Sequence, residues 1–345
     1  MIRVLIVDDS ALVRKVLSDE LSQFPDIEVV GTASDPYVAR EKLLQLNPDV
    51  ITLDIEMPRM DGLSFLAKLM KHRPTPVVIV SSVAPEHSET AMRALALGAV
   101  DVVSKPGSAY SLPEVGLTLV RAIRTAASAR VRAPSPTAPM LHAAPAFETT
   151  NKIIAIGAST GGTTAIESVL RSLPLAAPGI VIVQHMPEHF TKAFADRLNT
   201  VCVQEVREAR DGDSVLPGMV LIAPGDKHMV LRRDGARYVL AIKDGPRVHH
   251  QRPAVDVLFH SVARNAGRNA VAALLTGMGA DGASGMVALR ASGAYTIAQD
   301  EESCVVFGMP KEAIKLGGAD EITPLSRIPS ALLHALGARR SVVAV

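Results

Sequence analysis

Residues 1–21 read MIRVLIVDDSALVRKVLSDEL, in which a short β-branched run leads into two aspartates and then into a segment with apolar residues at the helical period. The same alternation recurs four more times before residue 125. Strands that alternate with helices predict a doubly wound parallel α/β sheet. The predicted strands are Arg3–Val7, Glu28–Ala33, Val50–Leu53, Val77–Ser81 and Val100–Val103, and the predicted helices are Ala11–Leu21, Ala39–Leu46, Gly62–Met70, His87–Leu97 and Glu114–Thr125.

The composition changes after this first domain, which we assign to residues 1–125. Residues 126–150 are rich in Ala, Pro, Ser and Thr, and four prolines oppose regular structure, so this segment is predicted to be a linker. The alternation then resumes over residues 151–345, which predicts a second doubly wound α/β domain. Its clearest elements are strands at Lys152–Ile156, Ile180–Gln184 and Ala270–Thr276 and a helix from about Thr163, separated by a less regular middle.

The length, charge and hydropathy of the chain disfavour nucleic-acid-binding, membrane-inserted and exported proteins. The chain has 345 residues, enough for two domains, and 36 Lys+Arg against 35 Asp+Glu give a formal net charge of +1. This balance lacks the basic footprint of a nucleic-acid binder, so no nucleic-acid partner is expected. No apolar run is long enough for direct membrane insertion, and the apolar N-terminus meets Asp8 and Asp9 too early for a signal peptide. Cys202 and Cys304 are predicted to be buried, reduced thiols, which favours a cytoplasmic protein.

Acidic side chains follow two of the predicted strands in the first domain. Asp8 and Asp9 come after the first strand and Asp54 after the third, while Ser81 and Lys105 follow the fourth and fifth. Parallel sheets collect ligands at this carboxyl edge, and clustered carboxylates favour a hard cation such as Mg²⁺. The alternative is that the aspartates only cap the next helix and that Lys105 lies in a solvated turn.

In these residues the first domain resembles the response-regulator receiver domain, a flavodoxin-like fold with five parallel strands in the order 2-1-3-4-5. The resemblance implies that Asp54 accepts a phosphoryl group, with Mg²⁺ bound by Asp9, Asp54 and the Glu56 backbone carbonyl, and by Asp8 through water. Ser81 and Lys105 would contact the phosphoryl group. Val102 replaces the aromatic residue that many receivers use in switching. The motifs that carry the likeness are Asp8-Asp9, Asp54 with Met57-Pro58 and Asp61-Gly62, Ser81, and Lys105-Pro106.

A glycine-rich turn in the second domain carries the strongest catalytic signal. Residues 157–162 read GASTGG between a predicted strand and a predicted helix, the context that G-x-S-x-G requires. Ser159 would lie exposed at a helix N-terminus, where backbone N–H groups can stabilise an oxyanion. A phosphate-binding turn is the alternative, but neither G-x-G-x-x-G nor a Walker lysine is present.

A nucleophilic serine needs a base and an orienting acid. His185 ends one strand and Asp281 follows another, so both could reach the same sheet edge as Ser159. The order Ser, His, Asp differs from that of ordinary α/β-hydrolases. Spacing alone leaves other candidates open, namely His228, His249, His250 and His260 for the base and Asp211, Asp213, Asp226 and Asp256 for the acid; the pair His249-His250 is interpreted as surface.

At these positions the second domain resembles the catalytic domain of chemotaxis protein-glutamate methylesterases. The resemblance implies a triad of Ser159, His185 and Asp281, with the backbone N–H groups of Met278 and Thr160 forming the oxyanion hole. The stretches that carry it are Ala155–Gly162, Val183–Met186 with Phe190, Ala223–Met229, Arg252–Phe259 and Leu275–Gly285.

The combined resemblance implies a phosphorylation-activated hydrolase. Its substrates would be glutamate γ-methyl esters, and specific glutamines, on methyl-accepting chemoreceptors, with methanol or ammonia released and no cofactor in the esterase reaction. A chemotaxis histidine kinase would supply the phosphoryl group. Two other hypotheses stay open: a phosphorylation-gated binding module with an inert serine, and a transcriptional regulator, although no basic stripe or helix-turn-helix pattern is present.

The unphosphorylated receiver is expected to pack against the catalytic cleft and inhibit the esterase, and phosphorylation is expected to weaken this interface. Deleting residues 1 to about 140 should therefore raise the basal rate of methanol release, measured against the full chain without a phosphodonor. An unchanged or lower rate in the shortened enzyme would contradict this expectation.

Overall fold

The computed structural model describes residues 1–57, 61–81, 85–105, 112–131 and 151–337. The chain divides into two compact units, Met1–Pro136 and Thr137–Val345. Pro58, Pro106 and most of the predicted linker lie outside the described residues, as do residues 338–345.

The first unit is a five-stranded parallel sheet in the order β2-β1-β3-β4-β5, which confirms the predicted receiver-like fold. The fifth strand begins one residue later than predicted, because its register sets Asp101 opposite Val78 and Ser104 opposite Ser81. The strands are β1 (Ile2–Val7), β2 (Ile27–Ala33), β3 (Val50–Leu53), β4 (Val77–Ser81) and β5 (Asp101–Ser104), and the helices are α1 (Ala11–Leu21), α2 (Pro36–Leu46), α3 (Gly62–His72), α4 (Pro85–Ala96) and α5 (Leu112–Ala127).

Side-chain caps explain where three of these helices begin. The Ser10 hydroxyl accepts from the Val13 backbone N–H, and the Asp61 carboxylate accepts from Ser64 N–H. Asp35 caps α2, whose first residue is Pro36. A capped proline start is favourable, which accounts for a helix three residues longer at this end than the apolar periodicity predicts.

The second unit contains a seven-stranded parallel sheet in the order β14-β13-β12-β6-β7-β9-β8 and a separate antiparallel hairpin, β10-β11. It confirms the predicted α/β class, and the less regular middle of the sequence forms β8 to β11. The elements are β6 (Ile153–Ala158), α6 (Gly162–Arg171), β7 (Gly179–Gln184), α7 (Phe190–Val201), β8 (Glu205–Glu208), β9 (Met219–Ile222), β10 (His228–Asp234), β11 (Arg237–Lys243), α8 (Val255–Asn265), β12 (Ala270–Leu274), α9 (Ala283–Ala291), β13 (Tyr295–Gln299), α10 (Met309–Lys315), β14 (Glu321–Thr323) and α11 (Ile328–Gly337).

The central strands of the second sheet are apolar on both faces because helices cover both. Every residue of β6, β7 and β12 is buried, and the large aromatic side chains Phe190, Phe194 and Phe259 are enclosed between sheet and helices. Strand β12 ends two residues earlier than predicted, because the Thr276 N–H bonds the Gln299 side chain instead of continuing the ladder.

Neither cysteine forms a disulfide within the described residues. Cys304 is buried, as expected, whereas Cys202 at the end of α7 is only partly buried. Burial raises the pKa of the Cys202 thiol to about 11, so it stays protonated near neutral pH. Within the described residues, none of the helices combines the length and the apolar content needed to cross a membrane.

Close packing of β6 against α8 predicts the effect of one added methyl group. A Cβ at Gly157 would lie 2.3 Å from Val255 Cγ1 and 3.1 Å from Leu274 Cδ1. Because valine is stiff at χ1, Gly157→Ala should destabilise the second unit by about 1–3 kcal/mol in urea unfolding. Gly337→Ala, where an added Cβ meets nothing within 4 Å, is the control and should change stability by less than about 0.5 kcal/mol. Equal unfolding midpoints for the two variants would contradict this packing argument.

Candidate active site

Both sheets reverse strand order at one point, and ligands of open α/β sheets bind at such points. In the first unit the reversal lies between β1 and β3, which pair directly. Asp8 and Asp9 follow β1, and Asp54 follows β3. Their carboxylate oxygens lie within 4.8 Å of one another, with Asp8 and Asp54 buried and Asp9 exposed.

One ammonium group faces these acids. Lys105 Nζ lies 2.8 Å from Asp54 Oδ2 and 2.9 Å from Asp8 Oδ2. Burial alone lowers the pKa of Lys105, but the two carboxylates outweigh it and raise that pKa above its usual value. Burial dominates at Asp54 and raises its pKa to about 6, in spite of the bond from Lys105.

The local backbone fixes the position of both buried acids. Asp8 Oδ1 accepts from Ser10 N–H, and Asp54 Oδ1 accepts from Glu56 N–H. A Cβ at Gly62 would lie 2.4 Å from the Asp54 carbonyl oxygen, so α3 can start this close to Asp54 only with glycine there. Ser81 is buried at the end of β4, and its carbonyl accepts from the Lys105 N–H. The five predicted receiver side chains therefore come from four adjacent strand ends, those of β1, β3, β4 and β5.

These residues fit a hard divalent cation. Three carboxylates lie together beside Lys105, and oxygen is the ligand that Mg²⁺ prefers. Asp8 Oδ2 is also buried without a well-directed hydrogen bond, although Lys105 lies at ion-pair distance from it. A buried carboxylate oxygen of this kind is available for metal coordination, directly or through water.

In the second unit the reversal lies between β12 and β6, with β7 on the other side of β6. Ser159 follows β6, His185 follows β7, and Asp281 lies in the turn between β12 and α9. Ser159 N–H donates to the Thr276 carbonyl and His185 N–H to the Ala158 carbonyl, which ties the three strand ends together. The sequence-predicted triad residues therefore share one sheet edge.

Asp281 is buried and fully hydrogen bonded. Its Oδ2 accepts from His185 Nε2 at 2.7 Å and from Val255 N–H at 2.7 Å, and its Oδ1 accepts from Asp256 N–H at 2.9 Å. Burial alone raises the pKa of Asp281, but the bonds from His185 and from the first N–H groups of α8 outweigh it and hold that pKa below its usual value. The side chain is therefore a carboxylate at neutral pH.

This arrangement decides how His185 is protonated. A carboxylate can only accept, so Nε2 carries the proton that it donates to Asp281, and in the neutral ring Nδ1 keeps a lone pair. Nδ1 is buried and has no hydrogen-bond partner among the described residues. Ser159 Oγ makes no hydrogen bond with His185 or with any other described residue in this structure.

The turn that carries Ser159 takes its left-handed backbone conformation at Gly161 rather than at the serine. Ser159 has an ordinary negative φ and is only partly exposed, whereas Gly161 has φ +75°. A Cβ at Gly277 would lie 2.6 Å from Ser159 Cβ, so glycine there allows the turn after β12 to approach the serine. Glycines on both sides, rather than the serine itself, provide the tight geometry.

The competing histidines and aspartates have other partners. His228 Nε2 bonds the Pro246 carbonyl, and His260 Nε2 bonds Ser284 Oγ. His249 is exposed, as predicted for a surface pair, but its Nε2 lies 3.0 Å from buried Asp256, which spacing did not predict. Among the remaining acids, Asp211, Asp213 and Asp226 bond Ile242 N–H, Arg207 and Arg252, respectively.

Two further arrangements near the triad are not reactive sites. His249, Asp256 and Asp281 cluster as metal ligands could, but each of the four carboxylate oxygens already accepts a hydrogen bond. A cavity of about 820 Å³ between α8 and α9 is lined by His249, Asp256 and His260 but not by Ser159. Hydrogen-bond geometry, rather than cavity size, locates the candidate active site.

Sequence reasoning missed Gln184. This buried side chain donates from Nε2 to the carbonyls of Ser159, at 2.8 Å, and of His185, at 3.1 Å. Its position directly before His185 was the only available signal.

Comparisons with known proteins agree with this geometry. Residues 154–332 match the CheB methylesterase family model, and residues 4–115 match the response regulator receiver domain. A protein-glutamate methylesterase/protein-glutamine glutaminase of Syntrophus aciditrophicus is 57% identical over 96% of this chain and 98% of its own length. Its Escherichia coli counterpart is 54% identical over 99% of both chains.

A solved structure supports the assignment of the second unit. The crystal structure of the Thermotoga maritima CheB methylesterase catalytic domain is 41% identical, with a TM-score of 0.53, and covers 54% of this chain and 99% of that one. Relatives match this sequence over nearly its full length, and the two family models match the two units in the same order. The chain belongs to the CheB methylesterase family, whose enzymes here carry a response regulator receiver domain before the catalytic domain.

Proposed function

We propose that this chain hydrolyses glutamate γ-methyl esters on methyl-accepting chemoreceptors with Ser159 as nucleophile, His185 as base and Asp281 as orienting acid. The observation that carries the proposal is the buried His185–Asp281 pair, which leaves Nδ1 free at the sheet edge that also holds Ser159. The names of the full-length relatives support the ester substrate and the glutamine substrate.

The reaction begins when Ser159 Oγ attacks the ester carbonyl and His185 Nδ1 takes its proton. Asp281 stabilises the resulting imidazolium through Nε2–H. The backbone N–H groups of Thr160 and Met278 stabilise the tetrahedral oxyanion. When the C–O bond breaks, His185 returns the proton to the departing methoxide, and methanol leaves behind an acyl-enzyme on Ser159.

Water completes the cycle. His185 Nδ1 accepts a proton from water as the oxygen attacks the acyl carbonyl, and that proton then passes to Ser159 Oγ as the carboxylic acid is released. The acid then loses its remaining proton to solvent and becomes the glutamate carboxylate. A glutamine side chain enters the same sequence, with ammonia as the first leaving group. Neither reaction needs a cofactor in the catalytic domain.

The receiver unit provides control. A chemotaxis histidine kinase in the cytoplasm is the phosphodonor, and Asp54 is the acceptor. Asp9, Asp54 and the Glu56 carbonyl would hold Mg²⁺, with Asp8 acting through water, and the cation would neutralise phosphoryl charge. Lys105 and Ser81 contact the phosphoryl oxygens, and phosphorylation raises the esterase rate.

Replacing the nucleophile tests the esterase. Ser159→Ala should lower methanol release from methylated chemoreceptor membranes by about 10⁶-fold, and Asp281→Asn by somewhat less. Ser284→Ala is a matched control, because Ser284 also bonds a histidine, His260, at 3.0 Å. It should keep the wild-type rate. Substantial release by Ser159→Ala would contradict the mechanism, and a folded wild type without any release would favour the binding-module hypothesis.

The raised pKa of Asp54 predicts how Mg²⁺ binding depends on pH. With a pKa of about 6, Asp54 is mostly protonated near pH 5 and mostly charged near pH 7. Because ligands must be deprotonated, Mg²⁺ should bind about tenfold more weakly at the lower pH in isothermal titration calorimetry. Asp54→Asn should bind Mg²⁺ weakly at both pH values. Equal affinity of the wild type at the two pH values would exclude Asp54 as the titrating ligand.

A further inference from the structure

Gln184 connects the nucleophile and base strands through its side chain. It is the last residue of β7, lies opposite Ala158 of β6, and is 3% exposed. Because two carbonyl oxygens face the same end of its amide, that end must be the NH₂ group. One side chain therefore holds the carbonyl of the residue that carries the nucleophile and the carbonyl of the residue that carries the base.

The Ser159 carbonyl is held by two donors. It accepts from Gln184 Nε2 at 2.8 Å and from Gly162 N–H at 2.7 Å. A trans peptide is planar, so its C=O and the following N–H point in opposite directions. Fixing the Ser159 carbonyl therefore fixes the direction of the Thr160 N–H.

Thr160 is poised for such control. Its carbonyl accepts from Thr276 Oγ1 at 2.9 Å, and the residue is buried. The Thr160 N–H donates to none of the described residues. This N–H is one of the two oxyanion donors in the proposed mechanism.

We propose that Gln184 is a positioning residue of the oxyanion hole: it clamps the Ser159–Thr160 peptide so that the Thr160 N–H faces the reacting carbonyl. The inference rests on the proposed function of Ser159 and Thr160. It assigns Gln184 to the chemical step rather than to substrate binding, because oxyanion donors act mainly on the transition state.

Burying the Gln184 side chain is energetically unfavourable at one of its atoms, which supports a role for the side chain beyond packing. Its Oε1 is buried without a hydrogen-bond partner among the described residues, which is unfavourable. A Cβ at Gly162 would lie 2.1 Å from that oxygen, so the helix must begin with glycine here. An apolar side chain would fill the same space without the unpaired oxygen, but it would donate nothing to Ser159.

The chain offers a matched control far from the triad. Gln204 is 2% exposed, and its Nε2 donates to the consecutive carbonyls of Leu173 and Pro174, at 2.7 and 3.3 Å. Its Oε1 is also buried without a partner in the described structure. Gln204 directly precedes β8, at the amino edge of the sheet, opposite the triad edge.

The test compares Gln184→Met with Gln204→Met in the full-length protein, using methanol release from methylated chemoreceptor membranes. Both variants lose the same kind of bonds, so similar falls in thermal stability are expected. Only Gln184→Met should lower kcat, by about 10- to 100-fold with KM nearly unchanged. A kcat equal to that of Gln204→Met, or a loss confined to KM, would overturn the proposal.

A second variant keeps the proposal testable if Gln184→Met does not fold. Gln184→Leu fills similar space but removes both donors, and thermal melting reports whether the second unit is folded. Folded Gln184→Leu should show the same kcat loss, and a wild-type kcat would overturn the positioning role. If release by the wild type does not depend on Ser159, the proposed function and this inference both fall. Ser159-dependent release with normal Gln184 variants would reject the inference alone.

Discussion

The buried carboxylate of Asp281 is the constraint on which the catalytic domain depends. A charge in the interior is costly unless donors surround it, and this one receives three hydrogen bonds. Two come from the first N–H groups of α8, where the helix dipole also favours an anion, and one from His185. The position of α8 against β6 and the orientation of the imidazole therefore follow from the need to keep Asp281 charged.

The receiver meets the same electrostatic problem with a different solution. Asp8 and Asp54 are buried side by side and both face Lys105, and burial raises the pKa of Asp54 to about 6 in spite of that ammonium group. Asp281, the proposed orienting acid, is surrounded by donors and stays charged, whereas Asp54, the proposed phosphoacceptor, receives fewer hydrogen bonds. In the proposed mechanism a divalent cation would supply the positive charge that Asp54 lacks.

The sequence predicted the fold and the strand-end residues because both follow from short-range patterns. Buried β-branched runs such as Val50–Leu53 and Val77–Ser81 were located without error, and polar residues directly after them necessarily meet at one sheet edge. The partner of each histidine depends instead on long-range packing. His249 also faces a buried aspartate, so pairing alone could not single out His185.

Features that depend on tertiary hydrogen bonds could not be predicted from the sequence for the same reason. The use of His185 Nε2 for Asp281 and the hydrogen bond from Gln184 to the Ser159 carbonyl each require a neighbour from another strand. The β10-β11 hairpin was also missed, because its strands lie outside the parallel sheet whose alternation guided the prediction.

A serine that His185 activates should react with a fluorophosphonate, and peptide mass spectrometry of the treated protein locates the adduct. We expect a single adduct on Ser159 that is lost in His185→Ala and retained in His260→Ala. An adduct on Ser284, or labelling of Ser159 that is indifferent to His185, would contradict this expectation.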